Sequence, residues 1–310
     1  LRKVLIAGTG ALGTLFAARL ALAGNPVVML GSWAAGLEAL NRAGARLLTE
    51  QGEERRAAVQ AASDPAIGGG AEVALVLVKA WQTEQAARQL AASLPAGALV
   101  VTLQNGLGNR EILAGTLGAE RVALGVCTYG ANLLGPGVAR SGGEGVISLE
   151  AHPRSGEVAD LLRGAGFQVE IVAGAQALVW GKLVMNAAIN PLTALLRVPN
   201  GRLLELPAAR WVMIALALET ARVARACGVE LPFDDPAGTV LAVARRTAAN
   251  RSSMLQDVER GAPTEIEAIC GAVVRAARAQ GRAAPLNWLM WRLVSADFPG
   301  KRREKRGKSW

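Results

Sequence analysis

The chain has 310 residues, 51% of them apolar, with three cysteines, one histidine and a formal charge of +9; that suffices for two packed cores, excludes a histidine-rich metal site, and argues against a disulfide framework and a histidine general base. No run of about 18 uncharged apolar residues exists, so a membrane-spanning helix is not expected, and the widely spaced cysteines point to a reducing cytoplasm. A good part of the charge lies in KRREKRGKSW, 301–310, read as a solubilising terminus and not as a nucleic-acid arm, because the other basic residues are scattered and aromatics make up only 4%.

In chain order, LRKVLIAGTG has no small-residue cleavage site and runs at once into glycines, so it reads as a first strand and not as a signal peptide. Residues 11–24 repeat apolar positions at helical spacing and stop at Gly24; PVVML, 26–30, is a second buried strand. Residues 72–80 form a near-continuous apolar strand, as a parallel sheet covered on both faces requires. A helix follows over WQTEQAARQLAASL, then strand and loop over 97–109, and further strands over 121–133, 143–150 and 167–173. Beyond about 174 the spacing predicts only helices, over 175–189, 205–228, 235–249, 265–281 and 285–298, punctuated by prolines. The fold class is therefore α/β. A Rossmann-type dinucleotide-binding domain is expected over 1–172, and an all-helical domain over 173–310 that includes the basic tail.

GTGALG, 8–13, fits G-x-G-x-x-G between a strand and a helix, which is the context that gives the pattern meaning. Gly8 permits the turn, Gly10 lets a pyrophosphate approach the backbone, and Gly13 allows close helix–strand packing. The N–H groups of the helix start, over Thr9, Ala11 and Leu12, would hold phosphates. The second strand ends on Gly31 and Ser32 with no carboxylate, so a 2′-phosphate would meet no repulsion. Lys79, after the apolar strand 72–80, is either a phosphate partner or a surface lysine. Together these features lean toward NADP.

WGKLVMNAAINPLTAL, 180–195, carries Lys182, Asn186 and Asn190 at intervals of four, nearly above one another on a helix. The neighbours are apolar almost all round, so a line of polar groups facing a cleft fits better than a solvated stripe. The Asn190–Pro191 bond is expected to end or kink the helix. A second polar cluster, NRSSMLQDVERGAPTEIEAI, 250–269, contains Asn250, Ser252, Ser253, Asp257, Thr264 and Glu265. Capping accounts for Thr264, and less well for Asn250, Ser253 and Glu265 together.

GTGALG, VKAW, LQNGLGN, GKLVMNAAINPLTAL, PNG and SSMLQDVERGAPTEIEAICG stand in an order that resembles the ketopantoate reductase (2-dehydropantoate 2-reductase) family from end to end. The resemblance implies an N-terminal Rossmann domain for NADPH and a helical domain like the C-terminal domain of 6-phosphogluconate dehydrogenase. It implies reduction of 2-dehydropantoate to (R)-pantoate on the route to pantothenate and coenzyme A. By the same resemblance Lys182 is the general acid, and Glu265 binds the substrate hydroxyl and positions Lys182. Asn186, Asn190 and Ser253, with Asn200 and Asn250, hold polar groups of the keto acid. Asn105 touches nicotinamide and substrate, Ala131 meets the cofactor through its backbone, and Lys79 meets the 2′-phosphate. Some members carry arginine where this chain has Ser32, and loss of that planar donor leaves NADH use open beside NADPH. Two other readings stand beside this one: an NAD(P)H-dependent reductase of another 2-keto acid on the same scaffold, and a non-catalytic NADP(H)-binding sensor. The expected partner is a small keto acid, not nucleic acid or membrane; a metal is not expected, and the helical domain could pair into a homodimer.

Overall fold

Apolar runs bounded by glycine and proline make the strands of the first half, in a computed structural model that describes residues 1–49 and 51–297. They are β1 (Val4–Ala7), β2 (Val27–Leu30), β3 (Ala45–Leu48), β4 (Glu54–Ala57), β5 (Gln60–Ala62), β6 (Val73–Val76), β7 (Leu99–Thr102), β8 (Val122–Cys127), β9 (Ala131–Gly135), β10 (Val138–Ser141), β11 (Val146–Glu150) and β12 (Gln168–Val172). The helices among them are α1 (Ala11–Leu22), α2 (Ala34–Ala43), α3 (Thr83–Ser93), α4 (Asn109–Leu117) and α5 (Ser155–Gly164).

The chain divides into two compact units, one of 1–104 and 108–175, the other of 105–107 and 176–310. The break after Ala175 falls slightly beyond the expected residue 172. The short segment Asn105–Leu107 belongs with the helical unit although its sequence neighbours do not.

In the first unit an eight-stranded sheet runs β12-β11-β8-β7-β6-β1-β2-β5. β5, β2, β1, β6, β7 and β8 are mutually parallel, while β11 is antiparallel to β8 and parallel to β12. Every residue of β1, β2, β6 and β7 is buried, as strands covered on both faces must be. From β1 the chain passes to β2 on one side and later returns to β6 on the other. The order therefore reverses at β1, and the edge beyond the C-terminal ends of β1 and its neighbours is where ligands bind in such sheets.

A second sheet, β4-β3-β10-β9, is absent from the sequence reading. Its strands are short and polar on one side: ARLL in β3 alternates buried and half-buried, and ERRA in β4 buries only Ala57. Arg46 of β3 forks onto Glu54 of β4 through two 2.7 Å hydrogen bonds.

The second unit contains α6 (Gln176–Leu196), α7 (Arg202–Glu205), α8 (Pro207–Ala226), α9 (Pro236–Arg246), α10 (Ser253–Glu259), a π-helical turn (Glu267–Gly271), α11 (Ala272–Ala279) and α12 (Pro285–Asp297). Packing is densest between α6 and α8, and α6 also touches α9, α10, α12 and the π-turn. Its core includes Leu183, Val184, Met213, Leu216, Ile269 and Val273.

The helix does not end at Asn190: α6 continues through Pro191 to Leu196. Proline has no N–H, so the carbonyl four residues earlier, Ala187 O, loses its helical donor. The Cys270 thiol supplies a replacement, with Sγ 3.9 Å from that oxygen. Cys270 is fully buried, and burial, reinforced by the Glu219 carboxylate, pushes its thiol pKa far up. It therefore stays protonated and able to donate. Around the proline, Ile189 through Ala194 are all buried, so tertiary packing holds a backbone that local propensity disfavours.

Candidate active site

In the first unit the glycine turn is wedged between strand ends. A Cβ on Gly8 (φ 129°) would lie 2.9 Å from the Leu77 carbonyl carbon and 3.0 Å from the Val78 nitrogen. A Cβ on Gly13 would clash with Gly8 O and lie 2.9 Å from its carbonyl carbon. Gly10 differs: a Cβ there would meet nothing within 4 Å. Gly10 is the N-cap of α1, with no side-chain cap bond and no acidic residue in the first turn. An uncapped helix start that opens beside a glycine facing free space fits a pyrophosphate, through its N–H groups and dipole.

The other cofactor candidates follow the ends of neighbouring parallel strands. Ser32 is exposed after β2, and Gly31 before it would put a Cβ 2.6 Å from Thr9 Cγ2, so β2 ends hard against the buried Thr9 of the turn. No carboxylate stands at 31 or 32. Half-buried Lys79 follows β6 and precedes the 3-10 turn Ala80–Gln82. Half-buried Ala131 opens β9, beyond β8, and pairs with Ser141.

A polar network that no sequence pattern announced fixes the end of β7. Gln104 Nε2 donates to Val78 O and to Thr83 Oγ1, both at 2.9 Å. Gln104 Oε1 accepts from Thr102 Oγ1 at 2.9 Å, and Thr83 Oγ1 lies 2.9 Å from Asn109 Oδ1. Thr83, Thr102 and Asn109 are buried. The network ties the segment before Lys79 to the residue that precedes Asn105. The only trace in the sequence is one glutamine beside NG.

In the second unit, the segment around Glu265 receives three other segments. Leu107 N donates to Ala268 O at 3.1 Å, and Gly106 (φ 86°) has no room for a Cβ, which would strike the same oxygen. This docking places Asn105 so that its Nδ2 lies 3.3 Å from Glu265 Oε2. Glu265 is 5% exposed; a buried carboxylate without such partners would be costly. The π-turn behind it is braced by Glu267, which accepts from Trp291 Nε1 at 2.8 Å and pairs with Arg275. The Cys270–Ala187 bond joins this turn to α6.

Along α6, Lys182 and Asn186 are half-buried and Asn190 is 7% exposed, with Gly181, Leu183, Val184, Ala187 and Ala188 buried around them. Gly181 packs on Pro232, where a Cβ would fall 2.9 Å from Cγ. One turn past Asn190, Thr193 Oγ1 lies 2.7 Å from Ser252 Oγ, and Ser252 caps α10 by accepting from Leu255 N at 3.0 Å. Half-buried Ser253 follows it as the first residue of α10. Two cross-links, Ala187–Cys270 and Thr193–Ser252, thus register the polar line of α6 against the segments bearing Glu265 and Ser253. Asn200 Nδ2 donates to Thr247 Oγ1 at 2.9 Å, its N–H donates to Asn250 O at 3.0 Å, and its Oδ1 is buried without a hydrogen-bond partner. Asn250 is exposed.

His152 lies in the first unit, in the loop before α5. Half-buried, its Nδ1 accepts from Arg154 N at 3.2 Å and its Nε2 lies 2.9 Å from Glu120 O. Among the described residues no group of three or more His, Cys, Asp or Glu is arranged to hold a metal ion, and no helix is long and apolar enough to cross a membrane.

Two family descriptions cover this chain in order. Ketopantoate reductase PanE/ApbA matches residues 4–154, and ketopantoate reductase PanE/ApbA C terminal matches 175–297. The chain belongs to the ketopantoate reductase family. It is 42% identical over 298 residues to the 2-dehydropantoate 2-reductase of Archaeoglobus fulgidus, covering 94% of this chain and 97% of the relative. To the 2-dehydropantoate 2-reductase of Halobacterium salinarum it is 37% identical over 289 residues, with 92% and 95% covered. The crystal structure of a PanE/ApbA family ketopantoate reductase from Ralstonia eutropha superposes with a TM-score of 0.90 at 34% identity, covering 96% of this chain and 98% of that one. The second family segment begins at residue 175, where the last stretch of the first unit ends.

Proposed function

We propose that the protein reduces 2-dehydropantoate to (R)-pantoate with NADPH as hydride donor. The observation that carries this reading is the second unit's polar set: Lys182, Asn186 and Asn190 on one line of a greasy helix, cross-linked to the segments of Ser253 and Glu265, with Asn105 docked on Glu265. The names borne by relatives that share nearly the whole chain support the substrate.

When bound, the nicotinamide supplies a hydride to the ketone carbon. The Lys182 ammonium stabilises the negative charge that develops on the ketone oxygen and hands its proton from Nζ to that oxygen. Apolar neighbours strengthen this field by excluding water. Glu265 accepts from the substrate hydroxyl and holds Lys182 in place. The carboxamides of Asn186 and Asn190 and the Ser253 hydroxyl supply donors for the carboxylate. Asn200 and Asn250 are assigned to the substrate on the resemblance alone.

On the cofactor side, Gly8, Thr9, Gly10, Ala11, Leu12 and Gly13 hold the pyrophosphate. Ser32 and Lys79 meet the adenosine end, and Asn105 and Ala131 the nicotinamide end. The absence of a carboxylate at 31–32 favours NADPH, and Ser32 in place of a fork-shaped donor makes the preference over NADH modest.

The test is initial-rate oxidation of NADPH and NADH with 2-dehydropantoate, pyruvate and longer branched 2-keto acids. The expected result is the highest kcat/KM for 2-dehydropantoate with NADPH. A higher value for another keto acid would move the protein to a different substrate on the same scaffold.

A further inference from the structure

Trp33 stands next to Ser32 and is 40% exposed. Its ring is nonetheless held: a Cβ on Gly36, in the first turn of α2, would lie 3.0 Å from Trp33 Cδ2 and 3.1 Å from Cζ3. Glycine there lets the indole lie down on the helix start and leaves the remainder of the ring uncovered. Trp33 is also the N-cap residue of α2, which has no side-chain cap and no acidic residue in its first turn.

Placement matters as much as posture. Gly31, two residues before Trp33, abuts Thr9 of the glycine turn, and Gly8 of the same turn abuts Leu77 and Val78. The turn is therefore flanked directly by the end of β2 and by the segment leading to Lys79. In sheets of this kind the adenosine lies past the end of the second strand. At that position this chain offers Gly31, Ser32, Trp33, Ala34, Ala35 and Gly36, with neither an acid for the ribose nor a base for a phosphate. The one group there with affinity for a flat heterocycle is the held indole.

We infer that Trp33 supplies the stacking face for the adenine ring of the dinucleotide, a contact indifferent to the 2′-phosphate. This rests on the dinucleotide reading above. A base stacked on an aromatic side chain contributes about tenfold in affinity. The experiment is calorimetric titration of the full chain and of Trp33→Ala and Trp33→Phe. The probes are NADPH, NADH, AMP, adenosine 2′,5′-bisphosphate and nicotinamide mononucleotide. Trp33→Ala should weaken NADPH, AMP and the bisphosphate by the same factor, about tenfold, and leave the mononucleotide unchanged, with Trp33→Phe recovering most of the loss. Unchanged AMP affinity in Trp33→Ala overturns the inference, as does equal loss of the mononucleotide or a loss confined to the bisphosphate. If the unsubstituted chain binds neither NADPH nor NADH, the dinucleotide reading itself falls; normal NADPH binding in every variant removes the Trp33 contact alone.

Discussion

Glu265 illustrates what single residues do in this fold. Its carboxylate is buried and has the Asn105 carboxamide at 3.3 Å, and the proposal gives both groups to the substrate. Glu265→Ala should lower kcat/KM for 2-dehydropantoate by about 100-fold or more while the dissociation constant for NADPH measured by fluorescence stays within a factor of two or so; loss of NADPH binding would assign Glu265 to the cofactor instead. The cysteines give a second residue-scale expectation. Cys270 is fully buried with its pKa raised, and Cys227, partly exposed, is raised by burial more mildly. A thiol whose folded pKa is raised keeps its proton when the unfolded chain would lose it. Its contribution is therefore intact below the ordinary value of 9.0 and declines as pH climbs past it. Native protein titrated with a thiol-specific disulfide reagent should leave Cys270 unmodified until denaturant is added, and stability to urea should fall between pH 9 and 10. Modification of Cys270 in the native state would contradict its role as a donor to Ala187 O.

At the scale of elements, legibility followed periodicity. The strands β1, β2, β6 and β7 were readable because both faces are buried and the sequence is a plain apolar run. β3, β4 and β10 were not, since ARLL, ERRA and VARS are four-residue segments that each carry arginine and none is a plain apolar run. The run of polar residues along α6 was visible from its four-residue spacing. Its continuation past Pro191 was not, because the compensating donor, Cys270, lies 83 positions beyond Ala187 in the chain. Likewise no local rule assigns Asn105–Leu107 to the helical unit, because the contact that does so is with Ala268. The proline and the thiol form a matched pair, which makes them energetically dependent. Cys270→Ala should destabilise by about 1–3 kcal/mol in urea melts, as the carbonyl it serves is left unpaired. In Pro191→Ala the restored helical N–H serves that carbonyl, so Cys270→Ala in that background should cost less, with a coupling of about 0.5–3 kcal/mol. Strict additivity of the two substitutions would show that the thiol does not replace the missing bond.

For the whole molecule, the division of labour follows from two kinds of core. A parallel sheet offers strand ends, and the helix after its first strand offers uncapped N–H groups, both suited to a dinucleotide, while a helical core offers a site for a few fixed polar groups among hydrocarbon. The basic segment 301–310 lies outside the described residues, and nothing in the proposed chemistry uses it. Its deletion should leave kcat and KM for 2-dehydropantoate within about twofold, since no proposed step is assigned to its residues; a larger fall in steady-state assays would give the tail a part in the reaction. The proposed reduction depends on the ammonium of α6. The deciding measurement is the turnover of Lys182→Ala with 2-dehydropantoate and NADPH, beside its NADPH dissociation constant. A loss of about 100- to 10,000-fold in kcat with unchanged NADPH affinity is predicted; turnover equal to that of the unsubstituted protein would contradict it.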